Sequence, residues 1–278
     1  MALTLPHIIT LLATGIGVGF TSGLLGVGGC FIMTPIQYMI FTNIGIPSDV
    51  AIKLAFGTNL LVVLPTAISG TWRHNKKGAV WWKAAIVMGS CGLMGAFGGA
   101  TLATYLPGQW LKIAFGVVVL AVGIRMLTAR PPKIEHEPKD NPWLWVAWAV
   151  PVGIITGIIG IGGGVLMVPV MVLALKFKMH NAVATSLATM IFTSIGGVIG
   201  YIINGLSVPE LKDLAYTIGY VNLTSWFLLA ATSVGMAQLG AVMSHKLPAK
   251  QLRYIFIVII FYVGLKMLGV FNWLGWPI

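Results

Sequence analysis

The stretch GLLGVGGCFIMTP, Gly23–Pro35, returns later in the chain as GIIGIGGGVLMVP, Gly157–Pro169, without a gap. Six of the thirteen positions are identical: Gly23/Gly157, Gly26/Gly160, Gly28/Gly162, Gly29/Gly163, Met33/Met167 and Pro35/Pro169. Glycines clustered in an apolar run accept positive φ and close backbone approach, so each copy reads as a break between two helical pieces. A helix broken inside a bilayer exposes N–H and C=O groups, which are tolerated only where they face protein or a water-filled cavity.

Outward from this element the correspondence continues. Lys53 matches His180, Thr58-Asn59-Leu60 matches Thr185-Ser186-Leu187, and Gly78 matches Gly205. Pro107 then falls on Pro248 and Arg125 on Lys266. The chain is read as two copies of one unit, residues 1–130 and 142–278, separated by a polar, Pro-rich linker at 131–141.

The composition sets the class. Of the 278 residues, 58% are hydrophobic and 8% charged, against about a quarter charged in a soluble domain. Runs such as Leu111–Leu127 and Leu252–Leu274 are long enough to cross about 30 Å of hydrocarbon as helices. Strict alternation, the mark of a membrane β-barrel, is absent. The expected fold is all-α, a polytopic transmembrane protein of two inverted-topology repeats, each a broken-helix hairpin plus three spanning helices. In the first copy the interrupted stretch is Leu5–Phe41, and the spans fall near Val50–Trp72, Ala84–Tyr105 and Leu111–Leu127. MALTLPHIIT carries no Lys or Arg, so a removable signal peptide is not expected.

Charge argues for the inversion. Cytoplasmic loops are enriched in Lys and Arg. If each glycine break is a hairpin entering and leaving on one side, thirteen of the 17 basic residues fall inside, leaving Lys53, Lys112, Lys212 and Lys266. If each break crosses once, only ten fall inside. The hairpin reading makes the repeats inverted, puts both termini outside and the 131–141 linker in the cytoplasm, and places the protein in the cell membrane.

In each copy a new helix begins just after the glycines and is expected to end near its proline. A helix N-terminus attracts anions through unsatisfied N–H donors and its dipole. Two inverted copies aim two such ends at a shared site near the midplane. The predicted substrate-binding set is Gly26, Gly28, Gly29, Cys30, Thr58 and Asn59 from the first copy, with Gly160, Gly162, Gly163, Gly164, Thr185 and Ser186 from the second. Hydroxyls and amides replace part of an oxyanion's hydration shell without holding it as a fixed cation would. Thr21, Ser22 and Thr156 precede the breaks. The same small residues also serve helix packing, and Gly15, Gly19 and Gly23 form a Gly-x-x-x-Gly series of that kind.

At these residues the sequence resembles the TauE/SafE family of sulfite exporters, through the duplicated Gly-rich element and the Thr-containing element at Thr58 and Thr185. The resemblance implies export of a small sulfur oxyanion such as sulfite, or of a sulfonate such as sulfoacetate, by alternating access across the cytoplasmic membrane. Cys30 departs from the pattern, since the second copy has Gly164 there and a triple glycine is usual. An anion channel and a non-transporting membrane scaffold are the alternatives; a scaffold has no reason to keep irregular backbone in mid-bilayer.

The acidic residues, Asp49, Glu135, Glu137, Asp140, Glu210 and Asp213, fall in loops or at helix ends, so no carboxylate proton relay is read. Lys53 and His180 are candidate vestibule charges; the plainer reading pairs Lys53 with Asp49 one turn earlier and leaves His180 at a helix end. Cys30 is read as an inert buried thiol before a substrate contact. Arg125 and Lys266 are read as snorkelling. His74, in RHNKK, is expected to be solvated. An enzyme is not expected: GLLGVGG lacks the Gly-Lys-Ser/Thr ending of a phosphate loop, and the five histidines are scattered without metal-ligand spacing. No cofactor and no nucleic-acid partner is implied; the partners are the anion and membrane lipid, and the oligomeric state is not encoded in any motif.

Overall fold

The computed structural model describes residues 4–26, 28–128, 140–212, 214–243, 258 and 261–270. Most of the 131–141 linker, and the basic residues Arg130, Lys133, Lys139, Lys246, Lys250 and Arg253, lie outside the described residues. The helices are α1 (Leu5–Leu25), α2 (Cys30–Asn43), α3 (Ser48–Asn75), α4 (Trp82–Tyr105), α5 (Gly108–Thr128), α6 (Pro142–Ile159), α7 (Gly164–Leu173), α8 (Met179–Gly205), the single turn α9 (Pro209–Lys212) and α10 (Leu223–Met243). A two-residue hairpin, β1 (Thr217–Ile218) and β2 (Val221–Asn222), precedes α10, and residues 261–267 are again helical. Seven of the described helices, α1, α3, α4, α5, α6, α8 and α10, are long and apolar enough to cross a membrane. The polytopic helical architecture expected from composition is therefore present.

Both predicted breaks are real. α1 ends on Gly26 and α6 on Gly160, and α2 and α7 start after Gly29 and Gly163. The φ angles repeat: +68° at Gly26 and +61° at Gly160, +79° at Gly28 and +76° at Gly162, +64° at Gly29 and +98° at Gly163. Left-handed backbone at three of four consecutive positions is why glycine fills them, since a Cβ would meet the following carbonyl. One expectation fails. Pro35 and Pro169 sit inside α2 and α7 and do not end them. A proline removes only its own N–H and bends the helix locally, and neighbouring helices in a bundle absorb the bend.

In lipid there is little hydrophobic drive between helices, so tight assembly relies on small residues that let backbones touch. Two such seams join the halves. Gly15, Gly19 and Gly23 of α1 lie against Leu229, Ser233 and Ala237 of α10, in that order, and a Cβ at Gly19 or Gly23 would overlap α10 backbone. Gly153 and Gly157 of α6 lie against Gly92 and Ala96 of α4. Each repeat thus packs its first helix on the other repeat's penultimate one. The registers show direction. α1 and α10 run parallel, as do α3 and α10, with Leu61 beside Trp226 and Thr66 beside Ser233. α4 runs parallel to α6 and to α8, Gly89 meeting Phe192 and Gly196 meeting Leu93. α3 and α8 run antiparallel, Gly70 meeting Leu187 and Gly197 meeting Leu60.

Exposed aromatics mark both ends. Tyr105 and Trp110 protrude where α4 ends and α5 begins, and Tyr216 protrudes just before β1; Trp72, Trp82 and Trp143 protrude at the opposite end from Tyr105 and Trp110, with Lys76 over the Trp72 ring at 3.7 Å. Amphipathic rings favour the headgroup level, so the bundle between these belts is the spanning part. Lys83 bridges Asp140 at 2.8 Å at the second belt, tying the start of α4 to the start of α6.

Candidate functional site

The two glycine turns touch. A Cβ on Gly164 would overlap the Gly26 carbonyl, and one on Gly28 would lie 3.5 Å from the Ile161 carbonyl. Around this junction stand α3 and α8, whose equivalent residues reach equivalent glycines. Phe56 packs on Gly160 and Val183 on Gly26. Ser186 Oγ donates to the Gly26 carbonyl at 3.3 Å and to Val183 at 2.9 Å. Thr193 Oγ1 donates to the Gly162 carbonyl at 2.9 Å. Gly29 and Gly163 act as N-caps, their carbonyls accepting from Met33 N at 3.4 Å and Met167 N at 2.8 Å. The first N–H groups of α2 and α7, left without intrahelical acceptors by helix geometry, begin at this junction.

All twelve predicted substrate-binding residues are buried, and the structure sorts them. The six breaking glycines, with Gly164 and Ser186, come together at the junction. Cys30 starts α2, fully buried, its Sγ 3.7 Å from the Gly28 carbonyl. Asn59 donates from Nδ2 to Thr34 Oγ1 at 2.7 Å, while its Oδ1 has no hydrogen-bond partner among the described residues. Thr58 and Thr185 do something else. Thr58 Oγ1 accepts from Asn222 N at 3.0 Å, immediately before α10, and Thr185 Oγ1 accepts from Trp81 N at 3.0 Å, immediately before α4. Each threonine caps the penultimate helix of the other repeat.

The vestibule candidates separate as well. Lys53, 5% exposed, is held by Asp49 Oδ2 at 2.8 Å and by the Thr104 carbonyl at 3.1 Å, so its charge is neutralised on the spot. His180 is exposed at the start of α8, with its ring edge-on to His74 at 5.7 Å between centroids. His74 itself corrects the sequence reading: it is 1% exposed, in the last turn of α3, with Nε2 3.3 Å from the Gly23 carbonyl. RHNKK is not a loop through its first half, because α3 continues to Asn75 and turns His74 inward.

Thr156, which precedes the second break in the sequence, joins the site, and two residues without any sequence signal, Met190 and Val63, join it too. Thr156 lies beside Gly163, fully buried, with no partner for Oγ1 among the described residues. Met190 and Val63, equivalent positions in the two repeats, fill the space between the glycine turns. A Cβ on Gly28 would be 2.5 Å from Met190 Cε, and one on Gly162 would be 3.0 Å from Val63 Cγ1 and 3.4 Å from Met190 Cε. The spacing that relates Lys53 to His180 also relates Val63 to Met190, but apolar side chains in an apolar helix give no reason to look there.

The junction therefore offers the starts of two helices, Thr156 Oγ1 beside Gly163, unpartnered among the described residues, and Met190 and Val63 packed between the glycine turns. Among the described residues no carboxylate enters it: Asp49, Asp140 and Glu210 sit at helix ends.

A family model described as Sulfite exporter TauE/SafE matches residues 11–267. The chain is 32% identical over 259 residues, 93% of its length and 94% of the relative's, to a probable membrane transporter protein of Methanocaldococcus jannaschii. It is 26% identical over 284 residues, 95% of its length and 99% of the relative's, to the probable membrane transporter protein YunE of Bacillus subtilis. A probable membrane transporter protein of Haemophilus influenzae is 24% identical over 260 residues, 94% and 97% of the two chains. No solved structure matches the chain.

Proposed function

This chain belongs to the sulfite exporter TauE/SafE family of membrane proteins, and on that footing we propose that it exports a small sulfur-containing anion, sulfite or a sulfonate such as sulfoacetate, across the cytoplasmic membrane by alternating access. The family supplies transport; the anion comes from the family's description and from the chemistry of the junction. The observation that carries the reading is the meeting of two glycine turns, each opening a helix N-terminus, with Thr156 Oγ1 buried beside Gly163 and Asn59 Oδ1 buried on α3, neither with a partner among the described residues. A buried polar group left unpaired costs about 1–3 kcal/mol, which a ligand of matching chemistry removes. Reversed end for end, the Asn59 amide accepts from the Thr34 hydroxyl and presents its N–H2 where Oδ1 stands, so both residues become donors to an oxyanion.

The opposed helix directions support the inverted arrangement. α1, α3 and α10 run one way and α4, α6 and α8 the other, so the first helices of the two repeats are opposed, as are α3 and α8. In that arrangement His180 and the Trp72 belt face the cytoplasm, and Lys53 and the Trp110 belt face outward. With Met190 and Val63 between the turns the junction is closed, and alternating access moves the two halves so that one side opens at a time. An anion leaving a cell that is negative inside gains about 2.3 kcal/mol per charge per 100 mV, so no carboxylate relay is required.

The test is flux. Purified protein in proteoliposomes is expected to move sulfite or sulfoacetate saturably, faster when the potential drives anions outward through the protein. Absence of flux for both anions at either polarity would end the transport reading; unit currents at pore rates would replace the carrier by a channel. Sidedness is checked separately with Ser207→Cys and Lys77→Cys, expected to label from opposite faces of the membrane; labelling from one face would refute the inversion.

A further inference from the structure

With Lys53 neutralised by Asp49, the outward end of the first repeat still carries one cation in a different setting. Lys112, in the first turns of α5, places Nζ 3.0 Å from Tyr38 Oη in the second half of α2 and 3.3 Å from Ser48 Oγ at the start of α3. Those two hydroxyls are 2.6 Å apart, and the ammonium also sits 5.0 Å from the centre of the Tyr38 ring. No carboxylate pairs with Lys112 among the described residues. Asp49, next in sequence to Ser48, is engaged by Lys53 and by the Gly108 amide that opens α5.

The donor balance of this cluster decides what it can bind. An ammonium has three N–H donors and each hydroxyl has one O–H. Two ammonium donors go to the hydroxyls, and one hydroxyl proton joins Tyr38 to Ser48. One N–H and one O–H remain, beside a full positive charge. Ser48 is exposed, and Tyr38 and Lys112 are each partly so, which leaves these donors reachable from outside. The cluster lies at the level of Trp110 and Tyr105, 65% and 78% exposed, where headgroups meet the bundle.

We propose that Tyr38, Ser48 and Lys112 form an oxyanion site at the membrane interface, taking a tetrahedral oxyanion such as a lipid headgroup phosphate or a free oxyanion at the mouth of the transport path. Both sources present the same chemistry, acceptor oxygens with a negative charge, and the charge-assisted hydrogen bond from the ammonium is the principal contact. The site is separate from the glycine junction, and its test is a binding measurement that does not depend on flux.

The probes are phosphatidylglycerol, followed by native mass spectrometry of the lipid retained on the detergent-solubilised protein, and inorganic sulfate, followed by thermal stabilisation in lipid-free detergent. Lys112→Met is expected to weaken binding of at least one probe about tenfold, as loss of a charge-assisted hydrogen bond implies. Lys112→Arg should restore most of it, and Tyr38→Phe should weaken it a few-fold while leaving melting without ligand unchanged. Dependence on Lys112 for phosphatidylglycerol alone identifies the lipid as the source, and dependence for sulfate alone identifies the free oxyanion. If wild type and Lys112→Met retain phosphatidylglycerol and respond to sulfate alike, the site does not exist; Tyr38→Phe, which keeps the ring packing, guards against a loss caused by misfolding.

Discussion

The two glycine breaks share a backbone and differ in nearly every side chain around it. φ is positive at equivalent glycines, yet the first break is followed by Cys30 where the second has Gly164, and it is Ser186 of the second repeat that reaches the first break, at Gly26, while its equivalent Asn59 bonds Thr34. Asn59 keeps an unpaired Oδ1, whereas Ser186 closes onto Gly26 and Val183. Duplication has thus preserved what the turn needs and released what the side chains do. If the proposed anion is held between the breaks, it meets two similar helix ends but two unlike sets of polar atoms.

Substituting the turn itself should have the largest effect. Gly28→Val and Gly162→Val put branched side chains at positive φ; overpacking and backbone strain together exceed about 3 kcal/mol, which would reduce flux about 100-fold or more. The two should be similarly severe, because φ is +79° and +76°, and the nearest atom at Gly28, Met190 Cε, ends a flexible side chain that can swing aside, whereas Val63 beside Gly162 is stiff. Gly17→Val, which meets nothing within 4 Å, is the control and should leave flux and expression near wild type. Equal loss at Gly17 would show that the assay reports bilayer insertion rather than the turn.

Next comes the apolar cover. Shortening Met190 to Ala removes contacts with both breaks, while Val63→Ala removes a smaller group; if these side chains oppose opening, lowering the barrier by about 1 kcal/mol gives roughly a fivefold faster initial flux. Met190→Ala should exceed Val63→Ala and should also blur discrimination between sulfite and larger sulfonates. Slower flux in both would mean that they hold the working geometry and do not block it.

The threonine caps should act on stability. Thr58→Val and Thr185→Val each free an N–H just before a helix, at about 1 kcal/mol and so about 2–4 °C in Tm, whereas the Ser variants retain the acceptor and should melt near wild type. Similar falls for both would support their shared capping role; a large loss of anion affinity with unchanged melting would return them to the substrate. The smallest effect is reserved for the vestibule pair. Lys53→Met removes an ion pair whose carboxylate is half-exposed and should shift stability by less than about 1 kcal/mol with little change in flux, and His180→Ala should mainly alter the salt dependence of anion entry.

Much of this molecule is legible along the chain. Apolar length gives the helices, and the near-identity of Gly23–Pro35 with Gly157–Pro169 gives the repeat and both breaks, because only glycine tolerates the left-handed turns they require. The ends of α3, α4 and α5 fall within three residues of where the apolar runs place them. The pairing of Lys53 with Asp49 follows from one helical turn of spacing. The hydrogen bonds of Thr58 and Thr185 to Asn222 N and Trp81 N are not legible in the chain, since a hydroxyl opposite a remote amide looks the same in sequence as one opposite a ligand.

What the sequence by itself determined is therefore mostly local: which long segments are helical, where the glycine breaks fall, and that the pattern occurs twice, though not that α2 and α7 continue past their prolines or that α3 runs on to Asn75. Only the tertiary structure decided that α1 packs on α10 and α6 on α4, that the two breaks meet, that His74 is buried, and that Met190 and Val63 cover the junction. The reason is physical. Periodicity and glycine content act through bonds within a few residues, whereas the choice of partner depends on which backbone surfaces fit within a bundle whose faces are all apolar, and no residue type announces that fit.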